Sequence, residues 1–589
     1  MSTKRIYLFA CLLPFLTGGL PCGVCADVGY KVRIANLADK DLRGRMEIHS
    51  LVFRLQDHPP ATMGQLERRV IDDLSRLDAV LHSEGYLRGR TESSIEAGAM
   101  PVKVLFTVER GPLYLLRDIS VEYVQDDGAV RPPSFPRLDF KESKPATANQ
   151  VVHQERAVIE WLKEKGYPFP SIQRREVVFD HDAARVDVVL HVRTGAFAVY
   201  GVLKVEGLVN LKAKYVHRRV PWREGEPFRL SQMEDFEQDL LKSGLFSTID
   251  LKPQEKIGGD GALPILVRLG ERRARTVRVG VGYRSDEGIN GQLSWVHRNL
   301  FRGGEKLKLS VSGSRIEQGA HAHFLRPDFL ERNLSFISDI EVVEETPDAY
   351  ISKRMQMGMG LEYEFRRHLT ISGGIAYKYS EVTQLDDKER YEMLLIPLAL
   401  NWDRRDDELD ATRGWQALLS STPYKDLASD LVFGKHYIEG RVYLPVWKMS
   451  RAVLALRLGT GSITGANSES IPADERFYAG GGSTVRGYAY QSIGEVVDGV
   501  PLGGNSMLLT SAELRSKVIG KLGGTIFVDG GSISSESRPG EDANMRWAMG
   551  LGVNYDMGFA PLRFDIAFPI NRRDIDDVMQ FYISMGQAF

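Results

Sequence analysis

The sequence predicts a membrane β-barrel of 16 antiparallel strands preceded by three small α/β modules. Three observations carry that expectation: a module-like repeat over residues 27–275, period-two alternation from Thr276 onward, and no stretch after the N-terminus long enough for an apolar membrane helix. The chain has 589 residues and a formal net charge of -2. It has no polybasic or polyacidic run, so composition points to no nucleic-acid partner.

The first segment, residues 1–26, reads as a secretory signal peptide. Lys4 and Arg5 precede an apolar run from Ile6 to Leu20, and Val24-Cys25-Ala26 gives a small-residue cleavage site. All three cysteines, Cys11, Cys22 and Cys25, fall within it. The expected mature chain therefore lacks thiols, and its fold must be held without disulfides.

Three similar units follow, at 27–112, 113–195 and 196–275. Their helices end at LHSEGY, LKEKGY and LKSGLF, with Gly85, Gly166 and Gly244 separated by 81 and 78 residues. In the first, Leu66, Val70, Leu74, Leu77 and Leu81 form one apolar stripe. In the third, Ser231-Gln232-Met233-Glu234 has capping-box spacing. The glycines suit left-handed helix ends. Strands such as VKVLFTVERG (102–111), VDVVLHVRTG (186–195) and LPILVRLG (263–270) close the units. Such modules serve either as spacers or as sheet edges that receive extended client segments.

From 276 to 589 helical periodicity gives way to about 16 short alternating runs. Val277, Val279, Val281 and Tyr283 alternate with Arg278, Gly280, Gly282 and Arg284, as a wall between lipid and a wet lumen requires. A large soluble β-sandwich or propeller is the rival, but no blade-like period accompanies the runs. An even strand count returns both barrel ends to the side of the modules. At the C-terminus, Phe581, Ile583, Met585 and Phe589 share one face.

One long connection, 462–505, lacks alternation yet carries aromatics. Within it, FYAGGGSTVRGY (477–488) sets Val485, Arg486, Gly487 and Tyr488 beside a triple glycine. The loop either lies solvated on the surface or folds into the lumen. In the lumen, Glu513 and Asp529 on the next two runs are candidate carboxylate partners for Arg486, and Gly487 would let backbone approach the wall.

The VRGY loop, the FVDGG strand and the terminal-Phe strand together resemble the bacterial outer-membrane barrel superfamily that assembles or secretes proteins. Its periplasmic modules are called POTRA domains. Trp402-Asp403-Arg404-Arg405-Asp406 with Ala411-Thr412-Arg413-Gly414-Trp415 is similar to its mid-barrel motif. Within that superfamily the BamA branch usually carries five modules, two-partner secretion transporters two and the TamA branch three, so the count resembles the last.

The resemblance implies an outer-membrane location with POTRA modules in the periplasm, and an Arg486 latch on Asp529 and Glu513. It implies clients among unfolded outer-membrane proteins and autotransporters, and an inner-membrane-anchored partner, TamB, at POTRA module 1. The activity expected is insertion through a lateral gate between the first and last strands, weakened by Gly280, Gly282 and Gly586 and flanked by Phe589. The alternative is a secretory or passive pore of two-partner-secretion type. No cofactor, metal or enzyme activity is expected: no Walker loop, nucleophile elbow or zinc signature occurs, and His321-x-His323 reads as a solvated pair.

Overall fold

The computed structural model describes residues 27–589 except 125–131, 136–143, 285–287, 367, 447–451, 542–543, 559–560, 586 and 588–589. The signal segment with its three cysteines, Gly586 and Phe589 thus lie outside the described residues. Among the described residues no helix is long and apolar enough to cross a membrane.

The N-terminal part contains three three-stranded sheets. In each, the last strand in sequence lies centrally, parallel to the first strand and antiparallel to the second in the two sheets at 30–109 and 115–193. Helix Met63–Ser83 packs its stripe of Leu66, Val70, Leu77 and Leu81 against Val104 and Phe106 of the central strand. Burying such side chains supplies ~1.5–3 kcal/mol each, the term that holds so small a module together. Gly85, Gly166 and Gly244 have φ of +91°, +98° and +65°, the left-handed geometry that ends each helix.

The capping box expected at Ser231 does not form. The helix begins at Leu230, and Ser231 donates its amide and hydroxyl to Glu164 at 3.0 and 2.9 Å. A carboxylate from the preceding module's helix occupies the place that Glu234 was expected to take.

The described residues divide into two compact units, and the second includes Leu203–Pro221, Glu234–Lys252 and the barrel. Within it the segment Leu203–Pro221 is fixed to the barrel's first turns. Arg219 pairs with Asp328 at 2.9 Å, Arg302 donates to the Asn210 carbonyl at 2.9 Å, and Lys212 donates its amide to the Arg302 carbonyl.

The barrel is closed and antiparallel, from Arg275–Arg284 to Gln580–Met585. It has 16 strands, one of them in two pieces, Asp387–Leu395 and Leu398–Asp403. Both pieces pair with the same neighbours in one unbroken register. Pro397 lacks the amide a ladder needs, which accounts for the break. Val277, Val279 and Val281 point outward, as do Phe581 and Met585, while Tyr582 is buried.

Candidate functional site in the barrel lumen

The loop between strands Ala452–Thr464 and Ser506–Ile519 folds into the lumen, and Val485, Arg486 and Tyr488 are buried. The triple glycine makes the turn. Gly480 and Gly481 have φ of +111° and +93°, and a Cβ on Gly482 would lie 3.1 Å from the Tyr582 ring. Gly487, at φ +97°, would bring a Cβ to 2.9 Å from that of Ala548, so only glycine lets the backbone lie this close to the wall.

Arg486 spans three strands. Its Nε and Nη2 donate to Asp529 at 2.7 and 2.8 Å, its Nη1 lies 2.6 Å from Glu513, and the same nitrogen donates to Asp565 at 3.1 Å. The guanidinium carbon sits 3.5 Å from the Phe527 ring centroid. Glu513 also accepts from Arg563 at 3.0 and 2.9 Å and from Arg515 at 2.8 Å, and Asp529 accepts from Ser511 at 2.5 Å. The cluster of Arg486, Arg515, Arg563, Glu513, Asp529 and Asp565 is formally neutral, which lets so many charges share a buried site. The planar five-donor fork of arginine suits this arrangement; a lysine could not engage both oxygens of Asp529 in one plane.

Val485 packs against Gly531, and the Tyr488 hydroxyl donates to the Trp547 carbonyl at 3.1 Å. Glu513 and Asp529, singled out in the sequence, thus both meet Arg486. Asp565, Arg563 and Arg515 were not anticipated, although Arg563 and Asp565 alternate with outward residues as lumen-facing positions do.

A second anchor lies on another part of the wall. Lys378 is buried between Asp474 and Glu475 of the loop, at 2.8 and 2.5 Å. Glu475 also accepts from the Tyr424 hydroxyl at 2.9 Å, and Asp474 from Ser352 at 3.0 Å. The loop is a crossbar, and Arg573 also donates to its Gly494 and Ser492 carbonyls, at 3.3 and 2.7 Å. His321 and His323 both contact Asp339, at 3.1 and 2.8 Å, in place of the solvated pair expected. The mid-barrel motif forms a turn: Asp406 accepts from the amides of Thr412 and Arg413, and Trp402 meets Trp415 edge to face.

The seam is short. Among the described residues, Tyr283 and Arg284 of the first strand pair with the last, opposite Ile583 and Tyr582. Ser584 and Met585 would continue that register opposite Gly282 and Val281 but do not pair with them. Beyond them, the Gln587 amide donates to the Leu409 carbonyl at 3.1 Å, and its side chain donates to Asp410 at 2.8 Å. Gln587 is thus directed to a turn between other strands, and among the described residues Arg275–Gly282 have no partner across the seam.

A closed 16-stranded barrel with a clamped lumenal loop, preceded by three α/β modules, defines an outer-membrane barrel protein with periplasmic POTRA modules. Residues 299–589 match the Omp85 superfamily domain. The chain is 21% identical over 593 residues to the outer membrane protein assembly factor BamA of Neisseria meningitidis serogroup B, covering 89% of this chain and 73% of that protein. It is 23% identical over 516 residues to BamA of Nitratidesulfovibrio vulgaris, covering 82% of this chain and 63% of that protein, so it spans less than two thirds of some relatives. The crystal structure of BamA from Haemophilus ducreyi lacking POTRA domains 1-3 superimposes with a TM-score of 0.64 at 17% identity, covering 80% of this chain and 100% of that one.

Proposed function

We propose that this protein assembles other outer-membrane proteins, inserting barrel and autotransporter clients through a lateral gate between Arg275–Arg284 and Gln580–Met585. The observation that carries the reading is the seam, where the described residues make two pairs, against ten between the first and second strands. An unpaired edge is a template for an incoming strand, and a client strand that docks there recovers main-chain hydrogen bonds the barrel lacks. Gly280 and Gly282 support this role, since neither supplies a side chain to pack across the seam.

The Arg486 cluster acts as a latch that holds the loop while the seam opens. Three modules favour the TamA-like branch, in which the inner-membrane-anchored TamB docks on the first module. The reading requires no reaction chemistry, only strand exchange.

The test is reconstitution of the mature protein in liposomes with an unfolded autotransporter barrel and a periplasmic chaperone. Faster client insertion than in protein-free liposomes supports assembly. Small-solute leakage without faster insertion would instead identify a pore of the two-partner-secretion kind.

A further inference from the structure

The lumenal face of the first three barrel strands carries cations without a counter-charge. Exposed Val277, Val279 and Val281 on the first strand, and Leu309 and Val311 on the third, face outward, so the alternating Arg278, Lys306 and Lys308 face the lumen. Arg278 shares a cross-strand row with Ser294 and Ser310, and Lys308 stands in the next row towards the start of the first strand, with Val296 and Thr276. Arg298 joins them there, donating to the Thr276 hydroxyl at 2.6 Å. Among the described residues none of these four cations forms an ion pair, and Arg278, Lys306 and Lys308 form no side-chain hydrogen bond. The carboxylates beside them are already engaged: Glu305 accepts from the amides of Phe301 and Gly303 at 3.2 and 2.9 Å, and Asp339 is held by His321 and His323. Like charges gathered without a counter-charge cost stability, and an anionic ligand would offset that cost.

Two further observations say which anion fits. One row further along the first strand from Arg278, Gln292 and Ser312 stand beside Gly280, and both line a cavity of about 300 Å³ that Tyr490 of the lumenal loop also lines. Their amide and hydroxyl suit a hydroxylated group rather than a further charge. Arg278 also lies in the part of the seam that has no partner among the described residues, about 10 Å along the strand from Arg275, at the depth of the periplasmic leaflet's headgroups. We propose that this face binds an anionic phospholipid of the periplasmic leaflet. Its phosphodiester meets Arg278 and Lys308, its glycerol-type headgroup lies against Gln292 and Ser312, and its acyl chains pass out through the unpaired seam. An ethanolamine headgroup would bring a further cation against four, whereas a glycerol headgroup brings hydroxyls alone. Gly280 and Gly282 leave the seam side of the site free of side chains. An acidic polypeptide would neutralise the cations but leave the opening to lipid unused. The site is independent of client insertion and needs only the unpaired part of the seam.

The test uses the full protein, without client, in nanodiscs doped with phosphatidylglycerol or phosphatidylethanolamine that carries a photoactivatable diazirine near the headgroup. Side-chain alternation lets peptide mapping read the side of the wall: label on Gln292 and Ser312 is lumenal, and label on Leu293 and Val311 is ordinary lipid contact. The glycerol lipid is expected to label the lumenal pair roughly tenfold more than the ethanolamine lipid, about the size of one charge-assisted contact. Arg278→Gln with Lys308→Gln should remove that preference, Lys306→Gln should reduce it, and heat-modifiable gel migration checks that both variants fold. Label confined to Leu293 and Val311, or equal lumenal labelling by the two lipids, overturns the inference. A preference that survives Arg278→Gln with Lys308→Gln overturns it as well. Displacement of the lumenal label by inorganic phosphate assigns the cations to a free anion, displacement by a polyglutamate peptide assigns them to a polypeptide, and either result overturns the lipid site.

Discussion

The Gly487 amide donates to the Tyr582 hydroxyl at 3.1 Å, and Tyr582 is paired through its backbone with Arg284 at the seam. The loop that carries Arg486 therefore touches the strand that closes the barrel. Latch and seam are joined by one residue, with the Tyr582 ring wedged against Gly482.

Tyr582→Phe keeps the ring and removes the acceptor. It leaves the buried Gly487 amide short of a partner, at a cost of ~1–3 kcal/mol. The temperature at which heat-modifiable migration is lost should fall by a few degrees, and client insertion should change with it. An unchanged temperature would show that latch and seam are uncoupled at this point.

Arg486→Ala leaves Asp529, Glu513 and Asp565 facing only Arg563 and Arg515. Removing one partner of a buried charge network costs ~3–5 kcal/mol. Insertion in liposomes should drop severalfold while the protein stays in the membrane, and Arg486→Lys should recover only part, because an ammonium cannot grip Asp529 bidentately. Normal insertion by Arg486→Ala would count against the latch.

Much of this architecture is legible in the sequence because a barrel wall has a strict period of two, and the last helix of each module runs up to a left-handed glycine. Arg486 and its neighbours Glu513 and Asp529 are readable for a related reason: the two acids lie on the hairpin that follows the loop. Asp565 and Arg563 are not, because alternation reveals which face a side chain takes but not which distant strand curves round to meet it. Asp474 and Glu475 are not legible as anchors, since nothing local signals that Lys378, about a hundred positions earlier, lies buried opposite them. The tether of Gln587 to Leu409 and Asp410 is not legible either, because such a contact has no local signature.

The second anchor makes its own prediction. Lys378→Met leaves Asp474 and Glu475 with fewer cationic partners in a buried site, and the loop end at 468–476 should loosen. Limited proteolysis of the protein in micelles should cleave there several times faster than in the wild type. Lys378→Glu combined with Glu475→Lys should restore part of the protection, because the pair is re-formed with its sign reversed. Equal cleavage rates in all three proteins would mean that Lys378 does not hold this end of the loop.

Glu271 gives a pH dependence. Burial raises its pKa, but the amides of Leu211, Val209 and Asn210 outweigh that and hold it below the usual carboxylate value of 4.5. A depressed folded-state pKa stabilises the protein above the unfolded value, and that contribution is lost as pH falls through the folded one. Urea unfolding of the periplasmic portion, followed between pH 6 and about pH 3, should therefore weaken below about pH 4.5, and Glu271→Gln should flatten the acid limb. An identical acid limb in the variant would remove Glu271 from the account.

The seam can be locked directly. Tyr283 and Ile583 are opposite each other in an antiparallel pair, where Cα atoms stand ~4.5–5.5 Å apart, within the span of a disulfide. Because all three cysteines lie in the expected signal segment, Tyr283→Cys with Ile583→Cys introduces the only thiols of the expected mature chain. Oxidised protein should insert clients at the rate of protein-free liposomes, and reductant should restore the activity. A matched pair inside an ordinary hairpin, Val279→Cys with Leu293→Cys, joins the first strand to the second and should leave insertion intact. If the locked seam inserts clients as fast as the reduced protein, strand exchange does not pass between these two strands, and the route must lie elsewhere on the wall.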